Sequence, residues 1–247
     1  MSRELSGFLG REFNKTLKGL RTTWSVNPSV LIGCRSDLKR LHSSYLAMEC
    51  LAGIVSGRRP RNEYIAAVGE TSNLAIVLAL KGLENPAVCL LRQSVELVLK
   101  DVYFTTHPTE YQWTQDSTAY KEVTAHFLFD YLHRVLDMVQ LPESDDLCKT
   151  LNREYHILCR YVHVHSKDFL KYGPRRRSTA ASSMAAFAKT KERALKLWPL
   201  LIVVLLACHI PEYLRSSIIE RELIQHALPK ELKVKIKLFL KARALVK

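Results

Sequence analysis

Apolar residues recur at helical spacing along most of this chain. Leu5, Phe8, Leu9, Phe13 and Leu17 fall on one face of a helix predicted over residues 4–20. Asn27-Pro28 and Gly33 make 21–34 read as a loop. Ser36 is the predicted N-cap of a second helix, to about 55, with Leu38, Leu41, Tyr45, Leu46 and Cys50 turned inward. Residues 57–61 (GRRPR) read as a basic loop. A third helix is predicted over 62–82, ending near Gly82, and Asn85-Pro86 opens a fourth that reaches about 105. The pattern breaks over 106–110, and helices are predicted again over 119–140 and 144–163. Residues 172–183 (YGPRRRSTAASS) read as a loop. A long helix covers 183–209, bent or restarted at Pro199. Another covers 212–227, and Pro229 opens a last one.

These elements predict an all-α fold. No repeat of domain-building length is visible. There is no Gly-rich phosphate loop and no strand–helix alternation, which argues against a nucleotide-fold enzyme. The expected organisation is one helical body over 1–228 and a basic amphipathic helix over 229–247. That last helix carries apolar residues at 232, 236, 239 and 240 among lysines. It is expected to pack on the body with its lysines in solvent; a membrane surface or nucleic acid are its alternative seats. Residues 197–210 (LWPLLIVVLLACHI) form the most apolar run. A membrane span needs roughly 20 residues, so the run reads as core and no integral span is expected.

Charge changes the picture more than length does. Lys plus Arg number 37 against 24 Asp plus Glu, a formal net charge of +13. Such an excess favours a partner with a negative surface. The charge is clustered: GRRPR at 57–61, Lys171 with Arg175, Arg176 and Arg177, and the lysines from Lys230 onward. RNA or another nucleic acid is therefore the expected partner, with Lys171 and Arg175–Arg177 tracking its phosphates in a salt-dependent way. The six cysteines show no CxxC spacing and sit mostly in apolar contexts, and the charged N-terminus does not resemble a secretory leader. Free thiols and a cytoplasmic setting are expected, with no metal centre and no cofactor.

The fourth predicted helix carries the most unusual feature. Its sequence AVCLLRQSVELVLKDVYF (87–104) is apolar round most of its circumference, yet Arg92, Glu96 and Lys100 step along one stripe. Three charges on such a helix must reach a cleft or pair with each other. Glu96 lies within reach of both neighbours. The stripe reads either as helix ion pairs or as a polar cleft in which Arg92 holds a phosphate, Glu96 orients it and Lys100 adds charge.

A second focus lies at 155–166 (YHILCRYVHVHS). If the helix continues, His156, Arg160 and His163 share a face. If the chain is extended from Tyr161, His163 and His165 point to the same side. An imidazole beside a guanidinium suits acid–base work on a phosphodiester. One group moves the proton of a 2′-hydroxyl and the other stabilises charge on phosphorus. Arg160, His163 and His165 are the candidate catalytic residues, together with Arg92 and Glu96.

Leu90-Leu91-Arg92 followed by Glu96, with a later Tyr161-Val162-His163, resembles helical bacterial proteins of the HEPN superfamily (higher eukaryotes and prokaryotes nucleotide-binding). The resemblance covers roughly residues 62–208. It implies a HEPN-like multi-helix bundle and a metal-independent endoribonuclease that acts as a homodimer, in a toxin or phage-defence role. It also implies a non-catalytic alternative, a binding or dimerisation module with a protein partner in a defence or regulatory complex. Active members carry Arg-x4–6-His, and Arg160 with His165 fits. Arg35 with His42 and Arg221 with His226 fit too, and about two such matches arise by chance in a chain with this many arginines and histidines. Tyr161 departs from the small polar residue that usually follows the arginine.

Overall fold

The computed structural model describes residues 2–56, 63–116, 123–162 and 179–244. Among them every element is a helix: α1 (Arg3–Thr22), α2 (Pro28–Gly33), α3 (Arg35–Ser56), α4 (Glu63–Leu80), α5 (Glu84–Thr106), α6 (Pro108–Asp116), α7 (Ala125–Met138), α8 (Ser144–Val162), α9 (Ala180–Cys208), α10 (Ile210–Leu214), α11 (Ile218–Ala227) and α12 (Lys230–Ala244). The all-α expectation holds.

The ends of these helices follow local chemistry. Ser2 caps α1 and Thr124 caps α7 through their side chains. Thr179 and Ser217 each form reciprocal capping boxes at α9 and α11. The predicted stop at Gly82 is a turn with φ +81°, in which the Leu83 N–H reaches back to the Leu78 carbonyl. Only glycine enters that left-handed region without strain, so the helix ends there and α5 folds straight back against α4.

Several boundaries differ from expectation. Residues 21–34 are not all loop: Asn27 caps Ser29 N–H and Pro28 starts the short α2. Ser36 is not an N-cap, because α3 already begins at Arg35. The break over 106–110 lasts one residue, His107, before Pro108 opens α6, its fixed φ suiting a first turn. The helix predicted over 119–140 runs from Ala125 to Met138, with Thr124 setting its start. Pro199 neither ends nor restarts α9, which is continuous from Ala180 to Cys208. Burial of Trp198, Leu201 and Ile202 on both sides of the proline outweighs its missing N–H. The helix predicted over 212–227 is two pieces, because Ser217 caps α11 afresh.

The centre of the protein is α5, packed between α4, α8 and α9. Ala87, Val88, Leu91, Val95, Val98 and Leu99 are buried along it. Small polar groups let α4 approach: the Ser72 and Ser94 hydroxyls meet at 3.2 Å, and Ser94 Oγ also donates to the Leu90 carbonyl. The apolar run of 197–207 is core, as expected. Only α4 among the described helices is long and apolar enough to cross a membrane, and half of it is buried in the protein. At the C-terminal end, Ile236, Phe239 and Leu240 of α12 join the main core, while Val234 and Leu238 stay exposed. The six cysteines are free thiols.

Candidate functional site

Arg92 and Glu96 of the α5 ladder lie on its seam with α8. Arg92 and Glu96 pair at 3.2 Å, their side chains about a quarter exposed. The Tyr155 hydroxyl donates to Glu96 Oε1 at 2.7 Å from across the seam. Burial, and then the Glu96 carboxylate beside it, hold the Tyr155 hydroxyl far above the usual tyrosine range, with Arg92 opposing weakly. Tyr155 therefore stays protonated and remains a donor. Its ring packs on Phe129 of α7, which fixes where the hydroxyl points. Lys100, one turn further along α5, sets its ammonium over the Tyr64 ring at 5.7 Å.

On α8 the helix continues through Arg160 to Val162, so the first half of the histidine-rich stretch is helical. This places His156 and Arg160 one turn apart on the exposed face. Tyr155 and Cys159 take the side towards Glu96. Arg160 sits about 140° round the helix from Tyr155, so the two do not share a face. His163, His165, Lys171, Arg175, Arg176 and Arg177 lie outside the described residues. Of the predicted site, Arg92 and Glu96 come together. Their partner on α8 is Tyr155, which sequence reasoning passed over although it opens the same stretch. Its one available signal was position: a tyrosine one turn before Cys159 on the apolar side of α8.

Two further polar clusters stand apart from the seam. His209, at the junction of α9 and α10, bonds Asp101 of α5 through Nε2 at 2.8 Å, and both side chains are wholly buried. Its Nδ1 has no hydrogen-bond partner among the described residues. On the surface, His133 and Asp137 of α7 and Asp145 of α8 bring ligand atoms within 4.8 Å of one another. Among the described residues, these form a donor set of a kind that suits a divalent cation. Each ring nitrogen of His133 already faces a carboxylate, and Asp137 also accepts from Ser144 Oγ at 2.6 Å.

Fold and site together define an all-helical protein with a partly exposed Arg–Glu–Tyr network at its central seam. No protein-family model, curated protein or solved structure matches the chain.

Proposed function

We propose that this protein is RNA-directed and acts as a metal-independent endoribonuclease of HEPN type, as a cytoplasmic homodimer with a toxin or phage-defence role. One observation carries the reading. The Arg92–Glu96 pair of α5 meets Tyr155 of α8, and in the sequence His163, His165 and Arg175–Arg177 follow that helix. In this reading an imidazole takes the proton of an RNA 2′-hydroxyl. The freed oxygen attacks the adjacent phosphorus, a 2′,3′-cyclic phosphate forms, and the departing 5′-oxygen is protonated. Arg92 stabilises the charge that develops on phosphorus, and Glu96 and Tyr155 hold it in place.

A non-catalytic nucleic-acid-binding module, placed in a complex by a protein partner, is the second reading. It is favoured by the closure of the network, since Glu96 already serves both Arg92 and Tyr155. One experiment separates the two. Incubation with single-stranded RNA in EDTA is expected to give cyclic-phosphate ends. The His163→Ala, His165→Ala double variant is expected to give none. Uncut RNA that is still retained, with retention lost in the Arg175→Ala, Arg176→Ala, Arg177→Ala variant, selects the binding module.

A further inference from the structure

A polar concavity lies away from the α5–α8 seam, where α1, α3 and α9 meet the end of α11. It encloses about 530 Å³, within the range of small-ligand sites. The sequence of α3 builds its charged wall. Ser36, Lys39, Arg40 and Ser43 recur three and four residues apart, so one stripe of the helix supplies two cations and two hydroxyls. His226 of α11 faces them. Burial, and then the nearby Lys233, depress its affinity for a proton. Among the described residues, no carboxylate lines the cleft. Two acidic groups nearby are otherwise engaged, Glu12 with Lys15 and Glu222 with the Ser2 hydroxyl. Among the described residues, neither Lys39 nor Arg40 takes part in an ion pair.

The opposite wall has a different character. Leu195 and Pro199 of α9 form it, and both line the cleft. Pro199 has no N–H to give to the Leu195 carbonyl one turn back. The cleft thus offers cations and hydroxyls on one side. On the other it offers the apolar side chains of Leu195 and Pro199.

We infer that this cleft binds a small organic phosphate. The phosphoryl group lies on Lys39 and Arg40, and the organic body lies against Leu195 and Pro199. Neither the seam nor the histidine stretch contributes to the cleft, so the inference stands or falls apart from the RNA reading.

Calorimetric titration of the full chain with AMP, ribose 5-phosphate and inorganic phosphate tests it. One equivalent of AMP or ribose 5-phosphate is expected to bind, more tightly than inorganic phosphate and more weakly as salt rises. The Lys39→Ala, Arg40→Ala double variant is expected to lose at least about tenfold in affinity, since charge-assisted bonds to phosphate are the strong ones. Both side chains are exposed, so the variant should fold, which circular dichroism verifies. Ser36→Asp is a second probe. An acid in the first turn suits the α3 dipole and preserves the fold, yet places a negative charge in the cleft; it too should abolish binding. The inference is overturned if neither organic phosphate binds, if inorganic phosphate binds equally well, or if both variants bind like the parent.

Discussion

Helix α5 carries two polar networks five residues apart, and they have opposite surroundings. Glu96 faces the edge of the α5–α8 seam, where it and Arg92 keep about a quarter of their side chains in solvent. Asp101 faces the interior, and its bond to His209 is sealed from water. Five residues turn a helix about 140°, so one element presents one carboxylate to the rim and another to the core. The contrast separates scaffold from site. A sealed pair cannot exchange its partner for a ligand without unfolding. A rim pair can release Arg92 to an incoming phosphate at small cost.

The largest effect should come from breaking the sealed pair. Asp101→Ala strips His209 Nε2 of its partner in the core and is expected to cost about 3–5 kcal/mol. That corresponds to roughly a 10 °C fall in Tm for a chain of this size, measured by calorimetry. Asp101→Asn keeps a hydrogen-bonding group and should lose less. If Asp101→Ala and Glu96→Ala destabilise equally, the distinction between core and rim is lost.

The next effect is a pH dependence. His42 is buried, with Nε2 3.0 Å from the Thr16 hydroxyl, and burial pushes it down to about 4 from an ordinary 6.5, against a smaller pull from Glu12. As pH falls, the unfolded chain takes up this proton before the folded chain does. The stability contributed by neutral His42 is therefore complete above about 6.5 and is lost as pH drops towards 4, by about 3 kcal/mol in all. Thermal melts across that window should show the loss, and His42→Gln should flatten it.

Tyr155→Phe should have the smallest effect on stability. It removes one hydrogen bond to a carboxylate that keeps Arg92 and solvent contact, so a cost of about 1 kcal/mol is expected in denaturant melts. A cost several times larger would make the seam a structural lock.

Much of this contrast was legible in the sequence, and some of it was not. Periodicity located most of the helices, because buried stripes such as Leu91, Val95, Val98 and Leu99 repeat with the turn of the helix. The ladder stood out for the same reason, as charge against an apolar background. The sealed pair was invisible. Asp101 lies 108 residues from His209, and only the packing of α5 against α9 brings them together. Tyr155 was hidden likewise, since nothing local links it to Glu96. Helix α6 was missed because the His107-Pro108 step reads as a break, although a proline also opens a helix. The cleft beside α3 escaped because nothing local marks Lys39 and Arg40, and residues of α1, α9 and α11 far away in sequence complete its lining.

The central claim is that the rim network serves chemistry while the sealed pair serves the fold. Arg92→Ala tests it most directly, with its rate of RNA cleavage in EDTA measured beside its Tm. The expected result is a rate at least about a hundredfold lower, as for loss of one donor to a developing oxyanion, with Tm within about 3 °C of the parent. An unchanged rate, or a lower rate matched by a collapse in Tm, would contradict it.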